Sequence, residues 1–355
     1  MLAATALLLP AACAKEGDRR ADAGPAAQST GYHQPGEPSE LSNGSLAEMS
    51  LDGSAAYVED TDPRLSKPGC EGQPEPVTFR VPLAGGNREA LGGDKAPFNG
   101  RIVRAKGQRA ALVASCEEFS SGLHVGSETT DGHLTGFREV KLKRRQDEPW
   151  PSPNTFVWSV DGQHLIAAVN EITAEGKPTQ LLRVDPSTGV TRPVFDVTGT
   201  TGVSHVDQLA DGTYALAGED VTLRNGTGAV TATYDGDGFA LPPDRTRIAV
   251  FGRTLALVTP GAAEPATLVP REPGQKITAA AFSPDGKAIA YVSRVDNDDT
   301  LSIVTIADSK ATKVFGPGRI GDPLFSADGR HLAYTELGGE GAGFVAKVML
   351  VPLQP

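Results

Sequence analysis

Eight Asp-Gly pairs stand along the 355-residue chain, and five of them, at Asp52, Asp161, Asp211, Asp285 and Asp328, recur in one repeated setting. A ring of carboxylates could hold a cation or move protons. The residues around them give a simpler reading, because an Asp before a Gly bonds the backbone two residues on and shapes a tight turn. His164 and His331 fill the same slot after Asp-Gly in two of the copies, which marks a scaffold position rather than a ligand pair. Asp296-Asn-Asp-Asp299 is rich in the hard oxygen donors that calcium prefers. It lacks the 12-residue loop form and a distal Glu, so it reads as a solvated hairpin turn. Asp235-Gly-Asp-Gly238 reads the same way. Ser204, His205 and Asp207 sit close in sequence, but strand alternation sends Ser204 to one face and His205 and Asp207 to the other. That arrangement does not make a triad, no metal-ligand spacing occurs, and no Gly-x-Ser-x-Gly elbow is present. No catalytic residue, metal or cofactor is therefore assigned.

The elements that must carry these residues are strands. Phe282-Ser-Pro-Asp-Gly-Lys-Ala-Ile289 reads as strand, turn, strand, with Pro284 presetting φ and Gly286 taking the positive-φ position. Copies stand at Phe325-Ser-Ala-Asp-Gly-Arg-His-Leu332, Trp158-Ser-Val-Asp-Gly-Gln-His-Leu165 and Met49-Ser-Leu-Asp-Gly-Ser-Ala-Ala56. Fainter ones occur at Gln208–Leu216, Pro242-Pro-Asp-Arg-Thr-Arg-Ile-Ala249 and Ala105–Leu112. The late turns are 43 residues apart (328 − 285), the length of a propeller blade. Each unit reads as four antiparallel strands. One such blade is apolar on both faces, so blades must stack around an axis to bury them. The fold class is thus all-β, a propeller of four-stranded antiparallel blades over residues 44–355. Seven blades are expected, or six if the second or fifth unit is not a true blade. The last unit stops after its third strand, and the segment at residues 28–43 is the expected source of the missing outer one.

The (Phe/Trp)-Ser-x-Asp-Gly-(Lys/Arg/Gln)-x-(Ile/Leu) pattern, at Trp158–Leu165, Phe282–Ile289 and Phe325–Leu332, resembles the WD40-like repeat of the TolB-type β-propellers. The resemblance covers about residues 44–353. It implies a propeller and, by analogy with TolB, a partner in the cell envelope. TolB carries an α/β domain ahead of its propeller, whereas only a short polar stretch precedes the repeats here, so TolB's own transport role is not implied.

The first segment fits an exported protein. Leu2 to Ala12 is an apolar run ending in small residues just before Cys13, too short to span a bilayer. It reads as a signal peptide, residues 1–13, with Cys13 as the lipidated residue of a lipoprotein; plain secretion is the alternative. Residues 14–43 form a polar Gly/Pro/Ser-rich tether, long enough to reach roughly 30 Å as a coil. The remaining two cysteines, Cys70 and Cys116, fall where neighbouring blades would bring them together, and an oxidising compartment would favour their disulfide.

A net charge of −11 argues against nucleic acid as a partner. The one basic run, Lys141-Leu-Lys-Arg-Arg145, is placed at the end of the second unit's outer strand, where charge discourages edge pairing; contact with anionic headgroups or polymers is the other reading. Two classes of function remain: a monomeric binding module for an envelope protein, peptide or glycan, or a lyase or hydrolase acting at the channel mouth. The sequence favours binding. First strands converge on the channel, so His205 and Asp207 are candidate ligand contacts. The longer loops after each second strand, at residues 59–76, 117–122, 170–178, 295–300 and 336–343, make the opposite mouth the expected site, with Asp296, Asp298 and Asp299 facing a cationic or polar partner.

Overall fold

A computed structural model describes residues 33–65, 76–92, 101–105, 109–113, 123–143, 155–169, 179–197, 202–262, 264–339 and 345–354. Seven antiparallel sheets follow one another along the chain, and no α-helix occurs among the described residues. The sheets are the blades of a seven-bladed propeller, so the six-bladed alternative falls away.

The sixth blade shows the recipe most fully. Its strands are Gln275–Phe282, Ala288–Val295, Asp298–Thr305 and Ala311–Gly318, each hydrogen-bonded to the next. The second strand of a blade is covered on both faces, so it reads as a continuous apolar run rather than an alternating one. Leu165–Val169 and Tyr214–Ala217 are buried at every position. Alanines recur in these strands, and Ala56, Ala111, Ala168, Ala215, Ala249, Ala290 and Ala333 are all inaccessible to solvent. A methyl group lets the next blade approach closely, and dispersion between close-packed faces then accumulates.

The core accordingly lies between blades. One apolar cluster joins the fourth and fifth blades through Leu209, Leu223, Phe239 and Val250. Another joins the fifth and sixth through Leu257, Phe282 and Tyr291. A third joins the seventh and first through Met49, Phe79, Ala333 and Val348. Trp158 is wholly buried between the second and third blades and donates its Nε1–H to the Val103 carbonyl at 3.0 Å. That bond satisfies the indole's one donor, as burial requires.

The seventh blade is composite. Leu324–Phe325, His331–Gly338 and Val345–Gln354 supply three strands. Its outer edge is filled by Ser39–Asn43 and His33–Pro35, which both pair with Val345–Gln354. Lys347 Nζ and a Glu40 carboxylate oxygen meet at 2.7 Å across this junction.

Candidate functional site at the Asp-Gly mouth

The repeated turns have one geometry. In the sixth blade the Ser283 hydroxyl donates to Asp285 at 2.7 Å and accepts the Ala288 N–H at 2.9 Å. Asp285 also accepts the Lys287 N–H at 3.0 Å, and Gly286 donates to the Ser283 carbonyl at 2.9 Å. Ser50–Asp52, Ser159–Asp161 and Ser326–Asp328 repeat this arrangement. The turn glycines Gly53, Gly162, Gly212, Gly286 and Gly329 all hold φ between 65° and 88°. The recurring aspartates are therefore turn residues. The Ser159 hydroxyl, and then the Gln163 N–H, hold the Asp161 carboxyl below the usual range. Burial raises Asp52 and Asp328, but their hydrogen bonds from Ser50 and Ser54, and from Ser326 and Arg330, outweigh it and lower both. His164 and His331 each donate a backbone N–H to their turn Ser, at 3.1 and 2.9 Å, as scaffold positions do. No group of three metal-ligating side chains occurs among the described residues.

The fifth blade departs from the repeat. Pro242-Pro-Asp-Arg245 occupies the place of Ser283-Pro-Asp-Gly286, and Arg245 takes the glycine position with φ 55°. Its N–H still closes the turn on the Pro242 carbonyl at 2.9 Å. A left-handed conformation costs a residue with a Cβ about 1–2 kcal/mol. In return the side chain crosses the channel mouth. Its Nη1 donates to Asp207 Oδ1 at 2.9 Å and to the Gln208 carbonyl at 3.2 Å in the fourth blade, and to the Trp158 carbonyl at 3.3 Å in the third. The Gln208 side chain, in turn, accepts the Val160 N–H at 3.0 Å, tying the same two blades.

These residues wall a cavity of about 700 Å³, lined from the second to the sixth blade. Arg104, Asp207, Asp244 and Arg245 are its charged lining; Val160, Leu241, Pro242 and Phe282 give it an apolar side. Arg104 is fixed by Glu128 at 2.6 Å and Glu48 at 3.2 Å. Burial opposes its charge, yet the two carboxylates more than offset that and raise its pKa. Glu128 is fully buried and its second oxygen accepts the Leu51 N–H at 2.7 Å. Arg104 Nη2 has no hydrogen-bond partner among the described residues.

His205 and Asp207 both line this cavity, while Ser204 bonds the Ala217 carbonyl, as strand alternation requires. The His205 ring lies 4.7 Å from that of Phe239. The mouth that holds the cavity carries the Asp-Gly turns, opposite to the face expected from loop length. There, Asp296 and Asp298 are exposed, Asp296 with φ 55°. Asp299 is not available as a contact. It is 1% exposed, bound by Arg294 Nε at 2.6 Å and Nη2 at 3.0 Å, and capped by the Ile320 N–H at 2.9 Å. Its carboxylate joins the sixth blade to the segment entering the seventh. Cys13, Cys70 and Cys116 lie outside the described residues. The second blade's outer strand ends at Glu139, so the basic run does not edge it. Of that run, Lys141–Lys143 continues onto the third blade.

In sequence, Arg245 and Phe282 read as parts of the repeat, not as site residues. The signal for Arg245 was present: an Arg where the repeat has Gly. Arg104 had no comparable sign, since one basic residue in a first strand is unremarkable without its two carboxylates.

Ring, blades and turns define the fold of a WD40-type β-propeller. Among solved structures, the chain is similar to the β-propeller domain of Myceliophteria thermophila Cps50 (Swd1), with TM-score 0.56, 11% identity and coverage of 88% of this chain and 99% of that one. It is also similar to the C-terminal WD40 domain of Sif2, at TM-score 0.53 and 11% identity, covering 89% and 99%. TolB from Acinetobacter baumannii matches at TM-score 0.45 and 16% identity over 69% of this chain, which spans 63% of that one. No family model and no curated protein matches the sequence.

Proposed function

We propose that this protein is a binding module of the cell envelope, exported and lipid-anchored at Cys13, that docks a protein, peptide or glycan at the Asp-Gly mouth. The observation that carries the reading is the cavity, where five successive blades present an apolar wall beside charges that, exposed Asp244 aside, are paired within the protein. Asp207 is committed to Arg245 and Arg104 to Glu48 and Glu128, which suits rigid recognition better than proton transfer. A concave, partly apolar site with a few fixed polar groups is the usual form of a recognition surface. WD40-like neighbours are consistent with protein binding in general.

The test is site-specific photo-crosslinking in cells. A photoreactive residue at Pro243, on the mouth, is expected to give a discrete adduct; one at Asp298, on the opposite face, is not. An adduct from position 298 alone would return the site to the long-loop face. Cys13→Ala should move the protein from the membrane fraction to the soluble one, and thiol titration of the unfolded, unreduced protein should find Cys70 and Cys116 oxidised.

A further inference from the structure

The junction of the second and third blades carries a strip of cations on a protein of net charge −11. Lys143 bridges Val190 in parallel and donates its N–H to the Gly189 carbonyl at 2.7 Å. Thr191 Oγ1 donates back to the Lys143 carbonyl at 3.3 Å. Gly189 presses on this segment so closely that a Cβ there would sit 1.9 Å from the Lys141 carbonyl oxygen. Arg138 reaches the same turn, with Nη2 2.9 Å from the Pro186 carbonyl. Two residues past Val190, Arg192 stands directly opposite Arg183 on adjacent strands.

Arg138, Lys141, Lys143, Arg183 and Arg192 are all exposed. None of them forms an ion pair among the described residues. Of the neighbouring carboxylates, Asp185 Oδ1 accepts from Ser187 and Thr188, Asp161, within electrostatic reach of Arg183, serves its own turn, and Glu139 stands exposed beside Arg138. Like charges directly opposite across strands are destabilising. Edge protection can account for Arg138 and Arg192, which stand on outer strands, but not for the others. Arg183 lies on a third strand, paired on both sides, and Lys141 and Lys143 lie past the end of theirs.

We propose that this strip binds an acidic, extended polypeptide segment of a partner. The cations follow a seam between two blades, so a linear ligand can meet them in succession. The Asp-Gly face around it bears Asp52, Asp131, Asp244 and Glu89, all exposed, which would repel a broad anionic plane such as a lipid surface. A narrow acidic strand avoids them. The inference stands apart from the cavity and holds whether or not the mouth itself is occupied.

The test uses the full chain, purified without lipid modification, and a fluorescent ten-residue peptide of alternating Glu and Ser. Binding by anisotropy should weaken as salt is raised, because it depends on exposed charge. Arg183→Gln with Arg192→Gln is expected to weaken it about tenfold or more, and adding Lys141→Gln and Lys143→Gln should abolish it. Lys310→Gln with Lys313→Gln, on the sixth blade, should leave it unchanged. The Arg192→Gln variant should melt at the same temperature or higher, since it removes a repulsion. Equal binding of a Gln-Ser peptide, or undiminished binding by the fourfold variant, overturns the proposal. So does capture by vesicles containing phosphatidylglycerol that the acidic peptide fails to compete away; that result would assign the strip to lipid.

Discussion

The fifth and sixth blades make the same turn by different means. In the sixth, Ser283, Asp285 and Gly286 bond one another locally, and the turn receives a link from the fifth blade, where Arg247 Nη2 donates to the Gly286 carbonyl at 2.7 Å. In the fifth, Pro242 replaces the serine, so the hydroxyl bonds are gone, and Arg245 replaces the glycine at φ 55°. Asp244 still caps Thr246 through its N–H at 3.0 Å and its hydroxyl at 2.9 Å. The local turn is weaker and strained, and the compensation is distant: three bonds from one guanidinium to two other blades. Strained backbone concentrates where a structure is committed to a task. A repeat position that gives up its best residue marks where the scaffold ends and a specific surface begins.

The largest effect should come from cutting the distant bonds. Arg245→Ala removes the partner of Asp207 and leaves the strain, since Ala also dislikes positive φ; a loss of about 2 kcal/mol in denaturant unfolding is expected. Arg245→Gly loses the same bonds but relieves the strain, so it should be less destabilising by about 1 kcal/mol. Equal values for the two would show that the turn is unstrained. The converse change comes next. Gly286→Ala has room for its Cβ, whose nearest neighbour is Arg247 Nη2 at 3.5 Å, so its cost should be the φ penalty alone, about 1–2 kcal/mol. Ser283→Ala, which strips the local hydroxyl bonds, should cost about 1 kcal/mol, while no such change exists to make at Pro242.

The smallest effect is in acid. Asp161 has a folded pKa below its unfolded one, held down by Ser159 first and Gln163 second. Such a group stabilises the fold above the unfolded value of about 3.9, and that contribution is lost as pH falls through the depressed folded value. Stability should therefore decline below about pH 4, and Ser159→Ala should make the decline shallower in a series of urea titrations. A Pro242→Ser change, by contrast, should steepen it if the restored hydroxyl engages Asp244.

Much of the ring was legible because its signals are local. Ser-x-Asp-Gly turns, alanine-rich second strands and a 43-residue period act within one blade, and each can be read in a short window. The cavity was only partly legible. Alternation put His205 and Asp207 on the channel side, but their partners come from other blades: Arg245 from 38 residues away, Phe239 from the next first strand. Loop length pointed to the mouth opposite the cavity because it measures room for variation, not concavity. Asp299 misled for a related reason. In sequence it belongs to an acidic turn, and only the fold shows Arg294 beside it and the Ile320 amide above it.

The seventh blade ties the order of synthesis to the order of folding. Ser39–Asn43 is made long before its strand partner, Val345–Gln354; Ser39 bonds Leu350 across 311 positions. For most of its production the chain is an open arc with two unsatisfied rims. Long-range closures of this kind are slow and leave an interval exposed to wrong pairings. Assembly thus has a built-in checkpoint: a chain cut short before Val345–Gln354 has no way to shut, and quality-control proteases will see it as unfinished however well its first six blades have formed.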